Sequence, residues 1–261
     1  MKIYILADME GISGIRKMDQ VMLDSKEYPH GCELMMQDIN VAVRAALDAG
    51  ADEVVACDTH GGGGQVRLDV MDGRAIYELP CCDRMMPSLD ETFSGVILLG
   101  HHARAGTLDG FLDHTMSSTS CFEFRINDQV VGEVGIEAAY AGHFNVPVIA
   151  VTGDEAVAEE ARALLGSVEC AVVKWGIGRN RARCLSMSES HGRIQQTVEK
   201  AVRSVGRFVP WRPKLPATLQ LTFYRSDMTE MPAIRPGVER VDARTLRTSV
   251  SALKNVMTWL S

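Results

Sequence analysis

The chain has 261 residues, of which 46% are hydrophobic and 23% charged, and its formal net charge is −7. This is an ordinary globular composition, enough for one large domain or two modest ones, and the acidic balance argues against a nucleic-acid partner. No stretch approaches the roughly 20 apolar residues that a membrane span needs, and the N-terminus lacks the features of a signal peptide. The seven scattered cysteines favour a reducing, cytoplasmic location over a disulfide framework.

Strand and helix signals alternate along most of the chain. Apolar runs predict buried strands at residues 2–7, 53–57, 96–99 and 147–151. Apolar residues at helical spacing predict helices at residues 33–49, 136–144, 155–165 and 192–205. Gly50 is a plausible stop signal for the first helix. Residues 122–131 are typical of a hairpin, with Asn127 and Asp128 in its turn.

The composition changes near residue 210, where Pro210, Pro213 and Pro216 favour an extended connection. After it we expect a strand at residues 218–223 and a last helix at residues 243–260, with Asp242 as the candidate N-cap.

Together, these elements predict an α/β fold: a central, mostly parallel sheet flanked by helices, with a smaller C-terminal α+β lobe. The first domain would cover residues 1–154 and the lobe residues 155–261, either as separate domains or as parts of one.

Ionisable side chains follow three of the predicted strands, where each strand ends: Asp8 and Glu10, then Asp58 and His60, then His101 and His102. Ligands in open α/β sheets bind outside the carboxyl ends of the strands, and paired carboxylates there repel each other unless a cation compensates them. Imidazole and carboxylate ligands without thiolate suit zinc. Two metal ions about 3.5–4 Å apart need a bridging ligand, and Asp8, the deepest of these residues, is the natural bridge.

Four segments contain most of these residues: Asp8-Met9-Glu10-Gly11-Ile12-Ser13-Gly14, Asp58-Thr59-His60, Gly100-His101-His102-Ala103-Arg104-Ala105 and Ile126-Asn127-Asp128-Gln129-Val130-Val131-Gly132-Glu133. In this order they resemble the sequence blocks of the zinc-dependent D-aminopeptidases of the DppA type, a bacterial family. The resemblance runs from Met1 to about Cys184, and the last third of the chain adds less specific similarity.

The resemblance implies a set of ligands for two zinc ions, which are Asp8, Glu10, His60, His102 and Glu133, with Asp8 as the bridge. It also implies that His114, in Asp113-His114-Thr115-Met116, is catalytic and is not a metal ligand. A neutral imidazole can exchange a proton with the substrate near pH 7, and direct nucleophilic attack by His114 is the alternative. The family builds ring-shaped homo-oligomers, so we expect one here.

Several neighbouring residues have two interpretations. Asp58 either orients the His60 imidazole or caps the loop that follows. Arg104 either binds a substrate carboxylate or forms a structural salt bridge. His101 is interpreted either as a packing residue or as a group that supports the ligands from behind, because adjacent side chains of a strand point to opposite faces. The basic cluster at residues 179–183 is interpreted as a solvated face.

The resemblance therefore predicts a dinuclear zinc aminopeptidase that hydrolyses short peptides, with an N-terminal D-amino acid such as D-alanine. D-selectivity comes from the resemblance alone. The alternative is a dinuclear metallohydrolase of another class, an amidase or a phosphoesterase acting on a small molecule. Additional Arg or Lys side chains near the ligands would favour a phosphoesterase, and apart from Arg104 the sequence shows none there. A third hypothesis, a non-catalytic binding protein of the same fold, is disfavoured because His114 and the predicted ligands are all present.

Overall fold

A mostly parallel sheet forms the centre of the computed structural model, which describes residues 1–81 and 84–257. In the described residues this sheet has seven strands, in the spatial order β3 (Ile76–Glu78), β2 (Glu53–Asp58), β1 (Lys2–Ala7), β4 (Phe93–His101), β7 (Val148–Asp154), β8 (Glu169–Gly176) and β9 (Ala182–Cys184). Neighbouring strands pair in parallel except β8 and β9. The carboxyl ends of β1, β2 and β4 therefore meet at one edge.

Helices cover both faces of this sheet, which explains why its central strands are continuously apolar. The four α-helices of the described residues are α1 (Tyr28–Asp48), α2 (Glu133–His143), α3 (Glu155–Leu165) and α4 (Met187–Arg203). Ile3 and Ile5 of β1 pack in an apolar cluster with α1 and α4. Tyr4 and Leu6 point to the opposite face, where α2 and α3 pack. None of the helices in the described part of the chain is long and apolar enough to cross a membrane.

A second, antiparallel sheet packs beside the first. Its strands in the described residues are, in spatial order, β11 (Glu239–Arg240), β12 (Thr245–Val250), β10 (Ala217–Phe223), β5 (Cys121–Ile126) and β6 (Gln129–Val131). The predicted hairpin is β5 and β6, and Asn127 occupies its turn with φ of 55°. Asn127 Oδ1 also accepts a hydrogen bond from the Thr218 N–H at 3.0 Å. This hairpin leads directly into α2.

The predicted fold class, a mostly parallel sheet flanked by helices, is confirmed. The last predicted helix, at residues 243–260, is wrong in the described residues: 245–250 form β12, which pairs with β10, and residues 258–260 lie outside the described part. Asp242 is not a helix cap, since its Oδ1 accepts a hydrogen bond from the Arg244 N–H in the turn before β12. β-branched residues such as Thr245 and Val250 fit a strand once β10 offers a partner edge.

Four further strands of the described residues have no counterpart in the sequence prediction: β3, β8, β9 and β11. The helix α4 begins at Met187, five residues before the predicted start at 192, because the Ser186 side chain caps it by accepting the Glu189 N–H. The division into a domain of residues 1–154 and a lobe of residues 155–261 stays a prediction. Both sheets of the described structure contain strands from before and after residue 154.

Candidate active site

The loop after β1 carries Asp8 and Glu10 and lies against the end of β4. The Asp8 N–H donates to the Leu99 carbonyl at 2.9 Å, and the Gly11 N–H donates to the Gly100 carbonyl at 2.7 Å. A Cβ atom on Gly11 would lie 2.1 Å from the His101 carbonyl oxygen. Only glycine allows this close approach of two backbones, which brings the ends of β1 and β4 together.

A buried lysine fixes the same loop from the other side. Lys174, on β8, donates from Nζ to the carbonyl oxygens of Glu10 at 2.7 Å, Ile12 at 2.6 Å and Ile15 at 2.7 Å. Burial lowers the pKa of Lys174 to about 8, so the ammonium stays mostly charged near pH 7. The sequence prediction gives Lys174 no role, although a lysine among the apolar residues of β8 is a visible signal.

His60 follows β2 and faces both acids of the first loop. Its Nδ1 lies 3.2 Å from Asp8 Oδ1 and 3.2 Å from Glu10 Oε2, while its Nε2 lies 3.0 Å from the Val21 carbonyl oxygen. Asp58 caps the loop that follows, because its Oδ2 accepts the N–H groups of residues 64 and 65 at 3.0 and 2.7 Å. The four glycines of this loop, at 61–64, all have positive φ, which accounts for the unusual run.

His102 follows β4 and faces the second oxygen of Asp8. Its Nε2 lies 3.4 Å from Asp8 Oδ2 and 3.3 Å from Glu133 Oε1, and its Nδ1 lies 3.0 Å from the Ala103 carbonyl oxygen. Glu133 comes from the first turn of α2, so the β5–β6 hairpin delivers it to the sheet edge. Glu133 Oε1 also accepts a hydrogen bond from the Met116 N–H at 2.7 Å.

His114 lies beside this group on a distorted loop. Its ring stacks on the His102 ring with the centroids 3.9 Å apart and an angle of 10° between the planes. Its Nδ1 lies 2.8 Å from the Leu112 carbonyl oxygen, and its Nε2 lies 3.7 Å from Glu133 Oε1. Leu112 and Met116 have φ of 52° and 61°, in the left-handed region that is uncommon for such side chains. Such backbone strain is characteristic of functional loops.

Opposite charges dominate the electrostatics of the site. Burial alone would raise the pKa of Asp8, but His102 and His60 lower it well below its usual value. Burial opposes the charged form of His60, yet Glu10 and Asp8 raise its pKa to about 12. The pKa of Glu133 is lowered to about 2, against its burial, by His102 and His114. Asp8 and Glu133 therefore stay ionised while buried because cationic partners stabilise their charges.

The donor set fits zinc. Two groups of ligand atoms each lie within 4.8 Å of one another: Asp8 with Glu10 and His60, and His102 with His114 and Glu133. Each imidazole directs one nitrogen to a backbone carbonyl, which can only accept a hydrogen bond. A metal ion that displaces the other ring proton would therefore find that nitrogen on the side of the carboxylates. Carboxylates and neutral imidazoles without thiolate are ligands that zinc accepts.

All of these residues except the buried His102 line a cavity of about 470 Å³. Its lining includes Asp8, Glu10, His60, His114, Glu133 and Glu137, and the apolar side chains of Met18, Val21, Met22, Met85, Leu112 and Met116. His101 is fully buried, and its Nε2 lies 2.6 Å from Oε2 of Glu137, which lines the cavity. Its role stays a prediction. Arg104 lines a different cavity, beside α3. Arg179, from the basic cluster interpreted as solvated, lines the active-site cavity instead.

The profile of the peptidase M55 family, described as D-aminopeptidase, matches residues 1–261. The chain belongs to the D-aminopeptidase family. A D-aminopeptidase of Bacillus subtilis (strain 168) is 33% identical over 245 residues, which cover 92% of this chain and 87% of the relative. The solved Zn-dependent D-aminopeptidase DppA from Bacillus subtilis, described as a self-compartmentalizing protease, matches with a TM-score of 0.95 and 29% identity over 100% of this chain and 95% of that one.

Membership of the D-aminopeptidase family confirms the predicted resemblance and the predicted enzyme class, a metallo-aminopeptidase. The structure gathers all six predicted site residues: Asp8, Glu10, His60, His114 and Glu133 line the cavity, and the buried His102 contacts Asp8 and Glu133. Their individual roles stay predictions.

Proposed function

We propose that this D-aminopeptidase family member uses two zinc ions to remove N-terminal D-residues, such as D-alanine, from short peptides. The observation that supports two ions is the orientation of Asp8. Its Oδ1 faces His60 Nδ1 at 3.2 Å and its Oδ2 faces His102 Nε2 at 3.4 Å. One carboxylate therefore contacts both groups of ligand atoms, which is the arrangement of a bridging ligand.

The proposed ligands are Asp8, Glu10 and His60 for one ion and Asp8, His102 and Glu133 for the other. Zinc bound here would polarise the scissile carbonyl and lower the pKa of a water molecule. The solved relative, described as Zn-dependent, supports this choice of metal. We infer the preference for D-alanine from the resemblance of the sequence blocks alone.

His114 is the proposed catalytic residue. The Leu112 carbonyl holds the proton of the neutral ring on Nδ1, which leaves Nε2 free to accept a proton in the cavity. His114 can therefore take a proton during attack on the peptide carbonyl and give it to the leaving amine. Nucleophilic attack by the same Nε2 is the alternative, and it would leave a trappable acyl intermediate.

The proposed assembly is a ring-shaped homo-oligomer that encloses the active sites, since the solved relative is described as self-compartmentalizing. Exposed apolar side chains supply a contact surface: Leu68, Val70, Ile76 and Leu79. The proposed location is the cytoplasm, in keeping with the free thiols of the cysteines that the structure describes. Light scattering of purified protein tests the assembly, and a uniform mass of 28.6 kDa would contradict it.

The decisive experiment measures bound metal and hydrolysis together. Protein reconstituted with zinc should hold two ions per chain and cleave D-Ala-Gly faster than L-Ala-Gly. Asp8→Asn should lose metal and activity together because it weakens the bridge. Asp128→Asn, in the exposed β5–β6 turn, is the matched control and should behave as the wild type. Release of phosphate from p-nitrophenyl phosphate without peptide cleavage would favour the phosphoesterase alternative instead.

A further inference from the structure

A cationic side chain lines a cavity that is otherwise rich in acids. Among the described residues that line it, Arg179 is the only arginine or lysine, whereas Asp8, Glu10, Glu133 and Glu137 are acidic. Arg179 lies in the loop between β8 and β9, far in sequence from the predicted ligands. The proposed zinc ions would neutralise the acids, but they leave the guanidinium without an assigned partner in the reaction.

The structure holds Arg179 beside the catalytic histidine. The Leu112 N–H donates to the Arg179 carbonyl at 2.7 Å, and Arg179 Nε donates to the Asp113 carbonyl at 3.3 Å. Nε also lies 3.4 Å from Asp113 Oδ1, and the arginine side chain is 39% exposed. These contacts anchor the base of the guanidinium next to His114 and leave its outer end open to the cavity.

The outer end of the guanidinium retains hydrogen-bond donors. Nη1 donates to Asn180 Oδ1 at 3.3 Å, and Nη2 has no hydrogen-bond partner in the residues that the structure describes. A guanidinium offers its N–H groups in a planar fork that matches the two oxygens of a carboxylate. Arg104, the arginine that the sequence suggested for this task, lines a separate cavity with Glu159 and Glu160.

We propose that Arg179 binds the C-terminal carboxylate of the peptide and so selects di- and tripeptides with a free C-terminus. The inference rests on the proposed function, and it names the substrate class of the same cavity. A short peptide carries an ammonium group and a carboxylate only a few bonds apart. A cavity of about 470 Å³ with one arginine in its lining has room for a short peptide whose carboxylate pairs with that arginine.

The test uses a substitution that keeps the structural contact. In Arg179→Gln, the amide nitrogen takes nearly the place of Nε and can still donate to the Asp113 carbonyl, but the charge and the outer fork are removed. Arg181→Gln is the matched control, because Arg181 is exposed, lies in the same loop and is not among the residues lining the cavity. The probes are D-Ala-Gly and its C-terminal amide, D-Ala-glycinamide.

The zinc-loaded wild type should favour the free acid over the amide by about 10- to 100-fold in kcat/KM, mostly through KM, as expected for a charge-assisted hydrogen-bonded pair. Arg179→Gln should reduce this preference to about twofold or less, because the pair with the carboxylate is lost. Hydrolysis of D-Ala-Gly should slow, whereas hydrolysis of D-Ala-glycinamide should stay unchanged. Arg181→Gln should retain it. Equal loss with both peptides would overturn the proposal, because Arg179 would then act only through the His114 loop.

A binding measurement separates this inference from the proposed function. Isothermal titration of the two peptides into zinc-loaded His114→Ala protein should show the same preference for the acid, and the double variant with Arg179→Gln should lose it. If the wild type cleaves neither peptide but the binding preference persists, the proposed function fails and the carboxylate site stands. Equal affinity for acid and amide would contradict the carboxylate site whatever the activity.

Discussion

Lys174→Met tests how the Glu10 loop is held. Methionine has a similar length and is apolar, so it fills the volume while removing the ammonium and its three hydrogen bonds. The Ile12 carbonyl keeps a second donor, the Ile15 N–H at 3.1 Å, and the Ile15 carbonyl keeps only the weak Cys184 thiol at 3.6 Å. The Glu10 carbonyl loses the donor that Lys174 supplied.

The magnitude follows from those two carbonyls. A buried acceptor left without a partner costs about 1–3 kcal/mol, and the weak thiol donor at Ile15 offsets only part of that cost, so the pair costs at most about 2–6 kcal/mol. Part of this is offset because the variant no longer buries a charge, a penalty that is visible in the lowered pKa of Lys174. We expect the free energy of unfolding to fall by about 2–4 kcal/mol.

Urea unfolding in the presence of a chelator measures this loss without a contribution from bound metal. Lys200→Met is the matched control, because Lys200 is mostly exposed and pairs with Glu169 at 2.9 Å on the surface. Such a pair contributes about 0–1 kcal/mol. Zinc affinity should fall only in Lys174→Met, since the Glu10 loop is released. If the free energy of unfolding falls by less than about 1 kcal/mol and zinc affinity stays that of the wild type, Lys174 does not hold the Glu10 loop.

Four further predictions follow from the same structure. The destabilisation caused by Lys174→Met should grow as pH rises from about 8 to 10.5, because the unfolded wild-type chain then binds more protons at Lys174 than the folded one. Urea titrations of both proteins at each pH measure it, and a difference in unfolding free energy that does not change with pH would contradict this. His114→Ala should keep its zinc, by elemental analysis, and lose about 100- to 10,000-fold in kcat; loss of metal would make His114 a ligand. Glu133→Gln should lose one of the two proposed ions and keep the other, because Glu133 contacts only His102 and His114 of the site imidazoles, and loss of both ions would argue against separate sites. Leu219→Ala, in the fully buried centre of β10, should lower the free energy of unfolding by about 2–5 kcal/mol, and a near-neutral result would contradict the packing of the second sheet.

The edge that carries the site was predictable because it depends on local patterns. Three apolar strands end in acids or histidines, and parallel pairing brings their carboxyl ends together whatever the loops do. Asp8, Glu10, His60 and His102 all follow these strand ends and were predictable in this way. Glu133 is different: only the resemblance pointed to it, because a glutamate after a hairpin carries no local sign of where the following helix begins.

Other features depend on contacts that no local pattern contains. Lys174 bonds to the Glu10 carbonyl across 164 positions of sequence, and Arg179 contacts Asp113 across 66. Both were therefore invisible as site residues, although the lysine interrupts an apolar strand. The last predicted helix failed for a related reason, since β12 exists because β10 offers it a partner edge.

The way in which Asp8 and Glu10 are held bears on the chemistry of the site. Their loop is bonded to the end of β4 through the N–H groups of Asp8 and Gly11 and to β8 through Lys174. Carboxylates fixed at backbone level cannot move apart to relieve their mutual repulsion, so the site favours cations at defined positions. Lys174 contributes its own positive charge from behind the loop, where it bonds to carbonyl oxygens and leaves the carboxylates free to face the cavity.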